Sequence, residues 1–340
     1  MNYPTEAGFY MPAEWHKKQR TFMEWPVRKT AWKNLFPEAQ KAYANVANKI
    51  AEFEPLSMIV SKELENEARK LCSNEVEIIS LEHDDSWMRD NGPTFVINDK
   101  KEIAGISWQF NAWGNKYTPY ENDAKVATSL LDLLNIKNFK SDIILEGGSI
   151  HVDGLGTLIT TEECLLNPNR NPSLSKAKIE DVLMKYLGIK KIIWLKKGLF
   201  GDETDGHIDN VATFVRPHVI AMQSCNDIND PNYSIYKENL NILENATDAL
   251  GKKFEIISIP QPPITYYNNE RLTLSYINYY LVNGGLILPV FGDSAQKTDK
   301  IAVGILQELY PNREIVQVDG SVIIRGGGNI HCITQQMPHI

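Results

Sequence analysis

Thr94-Phe95-Val96-Ile97, then Asn98-Asp99-Lys100, then Ile103-Ala104-Gly105-Ile106-Ser107-Trp108 is the stretch that sets the architecture. Two β-branched, aromatic runs flank an Asn/Asp turn, which reads as a hairpin. The pattern returns at Gly148-Ser149-Ile150-His151-Val152, Asp153-Gly154 and Thr157-Leu158-Ile159-Thr160. It returns again at His207-Ile208-Asp209-Asn210-Val211-Ala212-Thr213-Phe214-Val215, Arg216-Pro217 and Val219-Ile220-Ala221-Met222. Weaker versions occupy residues 279–289 and 321–334. Between the hairpins, residues 38–52, 123–134, 175–187, 234–250 and 295–309 place apolar side chains at i, i+3 and i+4, the spacing of an amphipathic helix. Hairpins alternating with helices predict a repeated α/β module. A non-repetitive α/β sheet would use the same elements.

No Gly/Ser linker, charge block or low-complexity tract divides the 340 residues, so a single domain over 1–340 is expected. The chain is 43% hydrophobic and 23% charged, the profile of a globular protein. Its formal net charge of −8 disfavours non-specific nucleic-acid binding and suits a cationic ligand. Cys72, Cys164, Cys225 and Cys332 are too few and too scattered for a disulfide framework, and no pair has C-x-x-C spacing. Met1-Asn2-Tyr3-Pro4-Thr5-Glu6 has neither a basic n-region nor an apolar h-region. The apolar stretch at residues 281–291 is broken by glycine and far too short for a membrane span. A cytoplasmic protein that engages neither membrane nor nucleic acid is expected.

The segment Arg325-Gly326-Gly327-Gly328-Asn329-Ile330-His331-Cys332-Ile333-Thr334 is the most specific. Consecutive glycines permit close backbone approach, and no Gly-Lys-Ser/Thr follows to make a phosphate loop. Cys332, emerging from that turn at the start of a short strand, is placed like a nucleophile, although most free cysteines are small buried hydrophobes. In Gly201-Asp202-Glu203-Thr204-Asp205-Gly206-His207-Ile208-Asp209-Asn210 an imidazole and a carboxylate stand two residues apart. On a strand they would share one face, with Cα atoms about 7 Å apart. Asp84-Asp85-Ser86-Trp87-Met88-Arg89-Asp90-Asn91-Gly92-Pro93 sets a tryptophan three residues from a carboxylate, and Leu145-Glu146-Gly147-Gly148 an acid before two glycines. Taken singly, acidic residues beside glycine turns are ordinary turn formers.

Taken together they match one chemistry. A guanidinium is planar and cationic, with five N–H donors, so two carboxylates can hold its edges. Its carbon is a poor electrophile that a thiolate can attack, and the departing ammonia needs a proton from a nearby histidine. One cysteine, one histidine and two aspartates suffice, with no metal or cofactor.

Pro12-Ala13-Glu14-Trp15, Trp25-Pro26, residues 85–93, Phe110-Asn111-Ala112-Trp113-Gly114, Leu145-Glu146-Gly147-Gly148, residues 201–210 and residues 326–336 together resemble the agmatine deiminases. These belong to the bacterial-type branch of the peptidylarginine deiminase superfamily, among the guanidino-group-modifying enzymes. The resemblance runs over residues 12–336 and implies a five-bladed α/β propeller (pentein) of ββαβ modules around a central site. It also implies roles. Cys332 would be the nucleophile that forms an amidino-thioether, and His207 the general acid and then base. Asp90 and Asp209 would clamp the guanidinium with Glu146 beside them; Trp87 would flank the substrate and Glu203 receive a terminal amine. The implied reaction converts agmatine and water to N-carbamoylputrescine and ammonia.

Other readings use the same residues. An arginine deiminase needs paired arginines for an α-carboxylate at the far end. A peptidylarginine deiminase needs an open groove. Asp202, Glu203, Asp205, Trp87 and Trp113 suit an amine better. A metal-dependent amidohydrolase could use the pairs His151-x-Asp153 and His207-x-Asp209 with His83, Asp84 and Asp85. A cation-binding protein without catalysis would need the carboxylates and tryptophans but neither Cys332 nor His207. A homodimer or homotetramer is the default assembly, and the tyrosines at 266, 267, 279 and 280 are expected in the core rather than at a subunit contact.

Overall fold

A computed structural model describes residues 2–340. Four of its sheets are built alike, each with one antiparallel hairpin and one further strand parallel to the hairpin's second member. A parallel neighbour cannot be reached by a tight turn, so a helix makes each crossover. In the first such module Thr94–Ile97 pairs with Ile103–Gln109, which pairs with Lys137–Ile144 across the helix Asp123–Leu133. That helix buries Val126, Ala127, Leu130 and Leu131, its apolar stripe. The next three modules repeat the plan with helices Lys176–Leu187, Pro231–Asn245 and Gln296–Leu309.

The fifth module joins the two ends of the chain. Thr334–Pro338 lies antiparallel to Lys18–Glu24, which pairs with Leu56–Val60 across the helix Phe36–Ala51. Val76–Ser80 extends this sheet by one strand. Five ββαβ modules in a closed series make the expected five-bladed α/β propeller.

The module plan positions chemistry. Just before the first strand of each module the chain makes a short turn: Met88–Asn91, Gly147–Ser149, Ile208–Asn210, the bend through Asn278, and residues 330–332. These five turns meet one another.

Two local expectations are corrected. His207 and Asp209 are not on a strand: Ile208–Asn210 is a 3-10 turn, entered through left-handed Asp205 (φ 64°) and Gly206 (φ 91°). Ile208, Asp209 and Asn210 are all buried, so no alternation between two faces develops. Residues 321–334 form no hairpin either. Ile323–Gly326 is a 3-10 turn with Ile323 and Ile324 buried, and Cys332 lies before the strand Thr334–Pro338, whose partner is at the other end of the chain. Of the four tyrosines, Tyr279 and Tyr280 are core residues, while Tyr266 is exposed. Among the described residues no helix is long and apolar enough to cross a membrane.

Candidate active site

Gly148 marks the centre. A Cβ built on it would lie 2.6 Å from His207 Nδ1, 2.9 Å from Asp90 Oδ1 and 3.0 Å from Asp209 Oδ2. The imidazole and both aspartates, from two modules, therefore ring one Cα of a third module that must carry no side chain. Gly148 N–H donates to Asp90 Oδ1 at 3.0 Å, and Trp113 Nε1 donates to Asp90 Oδ2 at 2.9 Å. Asp209 Oδ2 meets His331 Nδ1 at 2.8 Å and Cys332 Sγ at 3.5 Å. His207 stands with Nδ1 3.7 Å from Asp90 Oδ1 and Nε2 3.9 Å from Glu146 Oε2. Among the described residues neither His207 nitrogen, nor Glu146 Oε2, nor Asp209 Oδ1 has a hydrogen-bond partner. Buried polar atoms are rarely left so, and the two carboxylate oxygens are acceptors that a small planar donor-rich cation can satisfy.

The protonation states follow from burial and neighbours. Burial, reinforced by Asp209 and Glu146, raises the Asp90 carboxyl to about 6 although His207 opposes the shift. For Asp209, burial is outweighed by the His331 hydrogen bond and charge, and the carboxyl stays below its usual range. Burial works against a charged His207, yet Asp90, with Cys164 and Glu146 close beside the ring, raises it well above the ordinary histidine value. Burial, then Asp209 and Asp90, push the Cys332 thiol well above its ordinary value. The site thus pairs an imidazolium with a thiol. A cation seated between the carboxylates offsets their part of that shift, though not the part due to burial.

The aromatic walls are held by unusual backbone. Ala112–Asn115 is a left-handed turn with φ of 51°, 55°, 90° and 62° in order. Non-glycine residues seldom adopt this conformation, and such strain clusters at functional sites. Asn111 anchors it, its Oδ1 accepting from Gly114 N–H at 2.9 Å. The turn aims Trp113 at Asp90. Trp87 stacks on Trp32 with centroids 6.2 Å apart. Gly328 fits between Trp87 and the nucleophile: its Cβ would come within 2.5 Å of the indole and 3.0 Å of Cys332 Sγ.

Outward from Cys332 a cavity of about 240 Å³ is lined by Trp87, Asp90, Trp113, Tyr117, Glu203 and Glu270, among others. Lys33 and Arg325 line it as well, the latter 5.0 Å above the Tyr267 ring. Tyr117 hydroxyl donates to Glu203 Oε2 at 2.7 Å. Of the eight residues expected from sequence, Cys332, Asp90, Trp87, Trp113 and Glu203 line this cavity, and His207, Asp209 and Glu146 are buried one layer deeper.

Sequence reasoning missed several partners. Glu14 Oε1 lies 2.7 Å from His331 Nε2, on the side of the ring away from Asp209. Arg170 donates from Nε to Glu146 Oε1 at 2.7 Å, and through its other nitrogens to Asp205 and the Thr204 carbonyl. Asn278 Nδ2 donates to Cys332 Sγ at 3.1 Å. Glu14 and His331 sat inside quoted motifs, whereas Asn278 and Arg170 carried no local signal.

The metal-ligand pairs considered from sequence are engaged elsewhere. His151 Nε2 meets Thr213 Oγ1 at 2.8 Å, both His83 nitrogens meet backbone carbonyls, and Asp153 Oδ1 accepts the N–H groups of Leu155 and Thr157. Among the described residues Glu146, Cys164 and His207 do bring ligand atoms within 4.8 Å of one another. Arg170 already occupies one oxygen of that glutamate.

Known proteins resemble this chain over nearly its whole length. The family described as Porphyromonas-type peptidyl-arginine deiminase matches residues 10–338. An agmatine deiminase of Pseudomonas aeruginosa is 45% identical over 359 residues, covering 98% of this chain and 97% of that one. The solved agmatine deiminase of Enterococcus faecalis superposes with a TM-score of 0.95 at 36% identity, over 100% of this chain and 98% of that one. A substrate-bound agmatine deiminase of C. jejuni superposes with a TM-score of 0.89 at 32% identity, over 96% of each chain.

Proposed function

This chain belongs to the Porphyromonas-type peptidyl-arginine deiminase family, and we propose that it hydrolyses agmatine to N-carbamoylputrescine and ammonia. It is then a hydrolase acting on the C–N bond of a linear amidine, and residues 1–340 act as one catalytic domain. The observation that carries the reading is the convergence of Asp90, Asp209 and His207 around Gly148, with Cys332 Sγ 3.5 Å from Asp209 Oδ2.

Asp90 and Asp209 take the edges of the guanidinium, and Glu146 faces it beside His207. As the cation binds, the thiol proton leaves to solvent. The Cys332 thiolate then attacks the guanidinium carbon: an S–C bond forms, and the C=N π pair moves onto nitrogen. His207 gives its proton to the departing nitrogen, the C–N bond breaks, and ammonia leaves an amidino-thioether on Cys332. Neutral His207 next takes a proton from water, whose oxygen bonds to the same carbon. The remaining hydroxyl proton passes to solvent, the C=O bond forms as the C–S bond breaks, and the thiolate is returned with release of the neutral carbamoyl product. The walls of Trp87 and Trp113 keep bulk water from competing.

The far end supports an amine. Asp90 is taken by the guanidinium and Asp85 by Arg28, which leaves Glu203 and Glu270 with Lys33 and Arg325 among the lining charges, and Tyr117 orients Glu203. An α-carboxylate would meet Glu203 without paired arginines. Under the same reading the enzyme works in the cytoplasm as a dimer or tetramer, which light scattering checks.

Assays on agmatine, free arginine and a blocked arginyl peptide test the substrate, with and without exhaustive chelation. Agmatine turnover that survives chelation and vanishes in Cys332→Ser, with binding retained, is the expected result. Deimination of the peptide with agmatine inert would overturn the substrate; loss on chelation would restore the metal-dependent reading.

A further inference from the structure

We propose that Asn278 is a catalytic residue of this site, its side-chain amide donating a hydrogen bond to the Cys332 sulfur and stabilising the attacking thiolate. The proposal rests on the reading of Cys332 as nucleophile. Asn278 is fully buried and enters the strand Tyr280–Val282. In its module it holds the place that Asp90, Glu146, Asp209 and Cys332 hold in theirs.

The neighbours leave one orientation for the amide. Oδ1 accepts the backbone N–H of His331 at 3.0 Å, so Nδ2 must point the other way. There it donates to Asn210 Oδ1 at 3.0 Å and to Cys332 Sγ at 3.1 Å. A flipped amide would set donor against donor at His331 N–H. Two buried partners, the His331 N–H and Asn210 Oδ1, thus hold one N–H on the sulfur.

The need for that N–H changes with the state of the sulfur. As a thiol, Cys332 can donate to Asp209 Oδ2 or to Asn278 Oδ1, each at 3.5 Å. As a thiolate it can only accept, and the same carboxylate repels it. Around the sulfur stand Asp209 and Asp90, His207 beside Asp90, the His331 ring behind Asp209, Glu14 beyond it, and the Tyr43 phenol. Asn278 brings a neutral donor into this acidic surrounding, together with the Asn329 backbone, and both favour the ionised form. Hydrogen bonds to an ion are the stronger kind.

The test is a pH-jump titration of thiolate ultraviolet absorbance in the wild type, N278A and N278L, each against the same protein carrying C332S. Ionisation is read directly, whatever the access to the pocket. Iodoacetamide labelling, followed by peptide mass, assigns the signal to Cys332 rather than Cys72, Cys164 or Cys225. The expected result is a midpoint raised by about one pH unit, hence labelling slowed about tenfold below the midpoint. A midpoint equal to wild type in either folded variant overturns the proposal, because a packing role alters stability and access without moving ionisation. Failure of the underlying reading looks different: wild-type enzyme labelled at Cys332 would still turn over agmatine.

Discussion

His331 Nδ1 lies 2.8 Å from Asp209 Oδ2, and that contact decides how Asp209 meets a cation. The ring is buried, its other nitrogen is 2.7 Å from Glu14 Oε1, and the carboxylates and hydrogen bonds on both sides overcome burial and Arg89 to raise its pKa. A carboxylate, imidazolium and carboxylate in series keep Asp209 ionised inside the protein. His331→Ala leaves Asp209 and Glu14 buried and facing one another. The expected cost is about 2 kcal/mol, a factor of about 30 in kcat/KM at neutral pH, read from agmatine kinetics. An unchanged kcat/KM would remove His331 from the clamp.

The pH profile should be a bell. Asp90, raised to about 6, is neutral below that pH and cannot pair with a guanidinium, so kcat/KM should fall as pH drops through about 6. His207 must deliver a proton, and its raised pKa keeps that proton through neutrality, so the alkaline limb should lie well above the ordinary histidine value. Initial rates across pH check both limbs. An acid limb near 4 would mean that Asp90 is not desolvated as described.

Gly148→Ala should abolish turnover in a protein that still folds. Its Cβ would come within 3.0 Å of His207 and both aspartates, so the clamp and the imidazole would have to move apart. Loss of agmatine binding by calorimetry, with near-wild-type melting, is the expected pair of results.

Arg170 braces Glu146 behind the imidazole. Arg170→Met removes one partner of a buried pair, an error that costs about 3–5 kcal/mol. The expected outcome is a lowered melting temperature together with a lower kcat, because Glu146 is no longer held 3.9 Å from His207. Arg170→Lys keeps the charge but cannot form the fork of bonds to Glu146, Asp205 and Thr204, and should recover stability only in part.

The repeat was legible because each module fits a short window. A hairpin is a local turn between β-branched runs, and each crossover helix carries its own apolar stripe. The expected helices at 123–134 and 295–309 correspond to Asp123–Leu133 and Gln296–Leu309. Residues 321–334 misled for the converse reason. Their strand partner is Lys18–Glu24, some three hundred positions away, and no local pattern encodes such a pairing. His207 to Asp209 misled because three successive buried residues defeat any two-face pattern.

What the sequence by itself determined was the chemistry on offer: a cysteine after three glycines, a histidine near an aspartate, and acids beside paired glycines. These are choices of functional group, written residue by residue. Tertiary structure alone decided which groups face one another and in what protonation state. Closing the ring of modules brings Asn278 to the Cys332 sulfur, Glu14 to His331 and Arg170 to Glu146. Burial then raises Asp90 and the Cys332 thiol, while His331 holds Asp209 down. The physical reason is range. A propensity acts over a turn of chain, whereas desolvation and charge act through space, among side chains that only the folded ring makes neighbours.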